Sequence, residues 1–212
     1  AVTLAWAGAA EAVPQAARVE DGLLRSRGLG AALTPPLSII ADDLGIYFDP
    51  SRPSRLEALI AAGPPPGGEA RAARLIAALI RERLTKYNVG GATDLPPQKG
   101  RPRILVPGQV EDDASILRGA GAERTNLALL RRVRAERPEA QIVFKPHPDV
   151  EAGLRPGDVP ADALEGLADH VARAADPVAL IEAADELWTI TSTMGLEALL
   201  RGLPVTTLGA PF

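Results

Sequence analysis

A hydroxyl-rich turn, an imidazole fixed between two prolines and a pair of adjacent carboxylates carry the most evident chemistry in this 212-residue sequence. Ser192 and Thr193 follow the apolar run ending at Thr191 and precede an amphipathic stretch that stops at Gly202. Thr191, Ser192 and Thr193 stand where a helix N-cap belongs, with Glu197 one turn further on. Free N–H groups, hydroxyls and the positive end of a helix dipole suit such a turn to a phosphate. The same residues also describe an ordinary capped helix in an α/β sheet.

Three more clusters follow predicted strands. Lys145 supplies a positive charge, and His147 sits between Pro146 and Pro148, a rigid setting that suits a fixed anion better than a mobile proton shuttle. The alternative is a proline-stiffened turn with an exposed His. Glu20 and Asp21 end a strand before Gly22, whose backbone freedom the turn would use. Alternation along the strand predicts that one of the two carboxylates faces a cleft, and Arg25 and Ser26 lie close by. Gln109 to Ser115 is acidic, which suits sugar hydroxyls or an acceptor more than a phosphate; a helix N-terminus rich in Asp and Glu reads equally well. Asp42 and Asp43 read as turn or sugar contacts with no neighbours to complete a metal set, and His170 reads as a surface residue. No Walker loop, no Gly-x-Gly-x-x-Gly and no hydrolase elbow is present.

The elements that must hold these groups alternate. Strands are predicted at Val2–Trp6, at the run ending in Asp21, at Ile46–Phe48, Arg103–Val106, Gln141–Lys145, Leu187–Thr191 and Pro204–Leu208. Helices are predicted at Glu11–Ala17, interrupted at Pro14, at Leu56–Ala62, at Glu69–Leu84 with Leu75, Leu79 and Ile80 on one face, at Thr125–Arg137 and at Asp176–Ala184. Thr85 to Gly100 is polar, Gly/Pro-rich and without period. The expected architecture is α/β and GT-B-like: a partial N-terminal Rossmann-like domain over 1–89, a linker over 90–102, and an incomplete C-terminal Rossmann-like domain over 103–212. Loops at the carboxyl ends of the strands in two such facing domains converge on one cleft.

Composition narrows the classes. A net charge of −4 gives no global reason to expect nucleic acid, so an anionic ligand must be held by local Arg, Lys and helix termini. With no Cys, disulfides and thiolate metal sites are excluded. No apolar run reaches the length of a membrane span, and the first residues lack a signal-peptide pattern; cytoplasmic is the default. Aromatics are only 3% of residues, and Ala, Gly and Pro are plentiful, as in helices packed on sheets through small side chains.

Arg18-Val-Glu-Asp-Gly-Leu-Leu-Arg-Ser26, Asp42-Asp-Leu-Gly-Ile-Tyr47, Thr85-Lys-Tyr-Asn88, Val106-Pro-Gly-Gln-Val-Glu-Asp-Asp-Ala-Ser115, Lys145-Pro-His-Pro-Asp-Val150 and Gly209-Ala-Pro-Phe212 together resemble the bacterial capsule polysaccharide β-Kdo transferases of the KpsC type, most closely their second transferase module. The resemblance runs in order along almost the whole chain. Family members normally extend beyond both ends, so the sequence reads as truncated at each.

The resemblance implies a retaining glycosyltransferase with CMP-Kdo as donor substrate and no separate cofactor or metal. Its acceptor would be a Kdo-bearing lysophospholipid carrying the poly-Kdo linker of a capsule. It also implies work beside other proteins of capsule biosynthesis and polysaccharide transport, at the inner face of the cytoplasmic membrane and in peripheral contact with it. The family's acidic-acidic-Gly, His-Pro and Ser/Thr motifs fall on Glu20-Asp21-Gly22, His147-Pro148 and Ser192-Thr193. By that match Asp21 would attack the anomeric carbon, with Glu20 or an acid such as Asp113 handling the proton. His147, Ser192 and Thr193 would hold the CMP phosphate and Glu197 the ribose. Arg25 and Lys145 would pair with the Kdo carboxylate or phosphate, and Gln109 would lie on the donor side. A UDP-sugar transferase or epimerase, and an inactive capsule-assembly scaffold, are the rival readings.

Overall fold

The computed structural model describes residues 3–8, 13 and 15–211. Its first sheet has three short strands, β1 (Leu4–Trp6), β2 (Ala17–Asp21) and β3 (Ile39–Asp42), in that order. β1 runs parallel to β2, and β2 antiparallel to β3. The sheet is therefore mixed, unlike the parallel sheet expected of a Rossmann-like unit. The cause is local: residues 22–38 connect β2 to β3 without a crossover helix. Of the expected Glu11–Ala17 helix, residues 11, 12 and 14 lie outside the described residues, and Ala17 already belongs to β2.

Ile46–Phe48, expected as a strand, is a turn with Ile46 and Phe48 buried. Asp42 explains it. Its Oδ1 accepts the N–H groups of Leu44 and Gly45, each at 2.9 Å, and its Oδ2 that of Arg55 at 2.8 Å. Those bonds bend the chain away from β3 and toward α1 (Arg55–Ala62), which Ser54 and Glu57 open with a reciprocal capping box. α2 (Gly68–Arg81) follows. Its apolar face is only shallowly covered: Leu79 is 8% exposed, while Leu75 is 48% and Ile80 38% exposed.

The larger sheet centres on apolar runs too short for helices and buried on both faces, flanked by half-exposed edge strands. β4 (Arg103–Pro107), β5 (Gln141–Lys145), β6 (His170–Val171), β7 (Glu186–Thr189) and β8 (Val205–Thr207) are all parallel, in the order β6-β5-β4-β7-β8. His170 therefore sits in an edge strand, half-buried. α3 (Ala114–Gly119) and α4 (Asn126–Glu136) join β4 to β5, and α5 (Pro148–Glu151) and α6 (Ala161–Leu164) join β5 to β6. α7 (Pro177–Glu182) and α8 (Met194–Leu199) complete the alternation.

Successive strand residues feed two cores, as a pleated strand requires. Ile104, Val106, Ile142 and Phe144 pack with Leu129, Leu130 and Val133 on one face. Leu105, Val143 and Leu187 pack with Leu180, Ile181 and Ala198 on the other. From β4 the chain moves outward to β5 and β6, then returns to place β7 on β4's other side. The loops after β4 and β7 part at this reversal of strand order and leave a crevice.

Residues 90–102 are pinned to the larger sheet rather than loose. Gly91 bridges Ala175, Thr93 Oγ1 accepts the Asp176 N–H at 3.1 Å, and the Pro96 and Pro97 carbonyls accept from Arg103 and Gln141.

Candidate active site

A cavity of about 840 Å³ opens at that crevice, walled on its other side by the end of β2 and the turn at Tyr47. It brings together Glu20, Asp21, Arg25, Gln109, Asp113, Lys145, His147, Pro148, Ser192, Thr193 and Glu197. All the candidate site residues thus line one space. Lys86, Tyr87, Tyr47, Asp149 and Arg155 join them; all but Arg155 fall in the motifs that carry the resemblance, but sequence reasoning had given none of them a role at a site.

At the end of β2 both carboxylates reach the cavity, although alternation predicted one. Glu20 folds back so that its Oε1 accepts the Asp21 N–H at 2.9 Å, and burial pushes its carboxyl above the ordinary glutamate range. Asp21 is ion-paired with Arg25, a buried residue whose guanidinium also donates to the Thr34 carbonyl at 2.8 Å. Gly22 is required by close approach and not by its backbone angles: a Cβ there would lie 2.0 Å from Ser38 Oγ.

The loop after β4 is held by buried amides. Gln109 is 5% exposed, and its Oε1 accepts the Thr191 N–H at 2.9 Å and the Thr189 hydroxyl at 3.2 Å. Its Nε2 donates to Thr191 Oγ1 at 2.9 Å. Gln109 thereby ties the loop after β4 to the loop after β7. Asn126 fixes Gln109 in turn, accepting its N–H at 2.8 Å and donating to its carbonyl at 2.8 Å. Asp113 caps α3, its Oδ1 accepting from the Ser115 N–H and hydroxyl at 2.9 and 2.7 Å.

After β5, Lys145 is buried and its Nζ lies 3.3 Å from Glu151 Oε2. His147 caps α5: its Nδ1 accepts the Asp149 N–H at 3.2 Å. Burial, with the nearby Lys86 charge, pushes its pKa down to about 4, so the imidazole is neutral at physiological pH. With Nδ1 accepting, the ring proton sits on Nε2 and can be donated to a ligand. Tyr87 meets this ring edge-on, with centroids 5.9 Å apart. Asp149 is 6% exposed, its Oδ1 has no hydrogen-bond partner among the described residues, and burial raises its carboxyl.

In the turn before α8, the middle one of the three expected hydroxyl residues does the capping. Ser192 Oγ accepts the Met194 N–H at 3.2 Å, while Thr193 is already helical and makes no side-chain cap. Glu197 projects from the first turn of α8, where burial pushes it up to about 7. Its Oε1 accepts the Lys86 N–H at 2.7 Å. Arg201 adds a second tie, donating to the Leu84 carbonyl at 3.1 Å.

Those two bonds fasten a strap, residues 84–91, across the cavity. From the other side the Lys86 carbonyl accepts the Arg25 and Ser26 N–H groups, the Tyr87 carbonyl accepts the Gly28 N–H, and Asn88 donates to the Ser26 carbonyl. The polar, aperiodic composition of this stretch suggested a linker. One signal was available: an aromatic-poor sequence with two tyrosines places both Tyr47 and Tyr87 on the cavity.

Comparison with known proteins gives a consistent result. The family model described as "Capsule polysaccharide biosynthesis protein" matches residues 4–89 and 67–212. The chain is 43% identical over 218 residues to the capsule polysaccharide modification protein LipA of Neisseria meningitidis serogroup A, covering 99% of this chain and 31% of that protein. It is 44% identical over 200 residues to the lipopolysaccharide-processing protein LpsZ of Rhizobium meliloti, covering 92% of this chain and 46% of that one. Among solved structures, KpsC of Thermosulfurimonas dismutans is similar in two forms. The β-Kdo 2,7 transferase superposes with a TM-score of 0.78 at 36% identity, covering 98% of this chain and 64% of that one. The β-Kdo 2,4 transferase superposes with a TM-score of 0.84 at 30% identity, covering 99% and 68%. The chain therefore spans about a third of the meningococcal relative's length.

Proposed function

The chain belongs to the capsule polysaccharide biosynthesis family, and from that membership we propose that it forms a glycosyltransferase unit that takes Kdo from CMP-Kdo. The supporting observation is the convergence of Glu20, Asp21 and Asp113, the neutral His147 and the Ser192–Thr193 turn on one cavity. The arrangement is GT-B-like in this reading, with residues 1–89 as one wall, 90–102 as the connection and 103–212 as the nucleotide side. The acceptor is the poly-Kdo linker on a lysophospholipid, reached from the cytoplasmic face of the inner membrane alongside other capsule proteins.

The nucleotide phosphate lies between His147 Nε2–H and the Ser192–Thr193 turn, with Lys145 adding charge. A carboxylate attacks the anomeric carbon as the bond to the phosphate oxygen breaks, forming a glycosyl ester and releasing CMP. An acceptor hydroxyl then attacks the same carbon, the carboxylate leaves, and two inversions give retention. Glu20, whose burial favours the protonated form, suits the proton transfers. Asp21 is held in an ion pair with the buried Arg25, whereas Asp113 uses Oδ1 to cap α3 and is in no ion pair among the described residues. The unpaired carboxylate favours Asp113 over Asp21 for the attack.

Isothermal titration should show CMP bound in preference to UDP; the reverse preference overturns the reading. Mass spectrometry after incubation with CMP-Kdo should find a Kdo adduct on the peptide containing Asp113. Asp113→Ala should keep CMP binding and lose transfer by at least about a hundredfold, within the range for a group acting in the transition state. An adduct on Asp21, with transfer by Asp113→Ala intact, reassigns the nucleophile.

A further inference from the structure

The positive groups lining the cavity differ in what neutralises them. Arg25 is ion-paired with Asp21, Lys145 with Glu151 at 3.3 Å, and Arg155 with Asp112 at 2.6 Å. His147 is uncharged at physiological pH. Lys86 is the exception: no carboxylate among the described residues lies within ion-pair distance of its ammonium. Its Nζ sits instead over the Tyr87 ring, 5.3 Å from the centroid. A cation–π contact steers an ammonium without cancelling its charge.

The position is built. Glu197 holds the Lys86 N–H, and the Lys86 carbonyl accepts two N–H groups from the loop after β2. The backbone is thus clamped from both walls while the side chain faces the cavity. Burial works against the charge, yet the surrounding Tyr87, Tyr47 and Asp113 oxygens raise the pKa overall, so the group remains an ammonium. Lys86 is half-buried, and its ammonium, with no carboxylate at ion-pair distance among the described residues, is open to a ligand anion as partner.

We propose that Lys86 is the specificity-determining cation for the donor, pairing with the carboxylate carried by the transferred sugar rather than with the nucleotide phosphate. The inference rests on the donor reading above. Placement favours the carboxylate. The phosphate side of the cavity already holds Lys145, His147 and the Ser192–Thr193 turn. Lys86 comes from the strap and lines the same cavity as Glu20 and Asp113, where the anomeric carbon must lie for either acid to act. A sugar acid with its carboxylate on the anomeric carbon would present that group there, while a neutral sugar would leave Lys86 unneutralised.

The test uses Lys86→Met and Lys86→Arg, with CMP and CMP-Kdo as ligands. Wild-type binding of CMP is read first, since its absence overturns the donor reading and not this one. Lys86→Met should bind CMP within about twofold of wild type. It should raise KM for CMP-Kdo by about ten- to a hundredfold, with Lys86→Arg recovering part of the loss. Thermal melting of Lys86→Met should stay close to wild type, because the side chain is half-buried and the substitution breaks no ion pair among the described residues. Equal weakening of CMP and CMP-Kdo assigns Lys86 to the phosphate and overturns the proposal, as does an unchanged KM in a folded variant.

Discussion

At the scale of single residues, His147 and Glu197 are half-buried beside one cavity and shifted in opposite directions, one to about 4 and the other to about 7. The pH consequences oppose each other. His147 is depressed below its unfolded value of 6.5, so its contribution to stability is present above pH 6.5 and lost as pH falls toward 4. Glu197 is raised above its unfolded value of 4.5, so its contribution is present below pH 4.5 and lost as pH rises through about 7. Glu197→Gln keeps an oxygen for the Lys86 N–H and removes the charge. Urea titration at pH 8 should find it more stable than wild type, on the order of 1–3 kcal/mol, with the gap closing toward pH 5. A gap independent of pH removes Glu197 from the account. His147→Ala should weaken CMP binding by about 1–3 kcal/mol, the loss of one hydrogen bond to a charged group. With a neutral ring as donor, CMP affinity in the wild type should show no step near pH 6.5.

At the scale of elements, Gln109 decides whether the two loops at the crevice act as one surface. It bonds Thr191 through both backbone and side chain, and Thr189 through its hydroxyl. Gln109→Ala leaves the buried Thr191 N–H without its acceptor, so it should cost about 2–4 kcal/mol and weaken CMP binding as the Ser192–Thr193 turn loosens. Chemical denaturation and titration together check this; full stability in the variant would mean another acceptor takes over. How legible the elements were follows from what shapes them. Ile104-Leu-Val106 and Ile142-Val-Phe144 were readable because burial on both faces leaves continuous apolar runs in the sequence. Thr125 and Asp176 were readable as helix starts because capping is a local bond. Ile46–Phe48 misled because Asp42 takes up the neighbouring N–H groups through a side chain, and no pattern of apolar residues reports that. The strap misled for the opposite reason. Its fixed conformation comes from Glu197, Arg201 and Ser26, all distant in sequence.

Across the whole molecule, the two sheets are unequal in depth. β4 and β5 are buried at every position, whereas β1 and β3 keep Leu4, Trp6 and Ile39 more than half exposed. The walls meet through exposed ion pairs, Arg83 with Asp176 and Glu182, and through Arg118 with Asp49. Pairs of this kind add about 0–1 kcal/mol each. Native-state hydrogen exchange should therefore find the amides of 104–106 and 142–144 opening only with global unfolding, and those of 4–6 and 39–42 exchanging through cheaper, local openings. Uniform protection over both sheets would show that they unfold as one unit. No helix among the described residues is long and apolar enough to cross a membrane.

The strap also governs how such proteins can be recombined. Because residues 84–91 are fastened to the loop after β2 on one side and to α8 on the other, they belong to neither wall alone. A chimera joined within them would inherit Lys86 and Tyr87 from one parent and the Glu197 and Arg201 that seat them from another. Crossover points in 92–101, where the chain runs along the larger sheet, would still leave that mismatch across the joint. Exchange of ligand preference between relatives therefore calls for the strap and α8 to be transplanted together, as a single inherited cassette, although more than a hundred positions separate them.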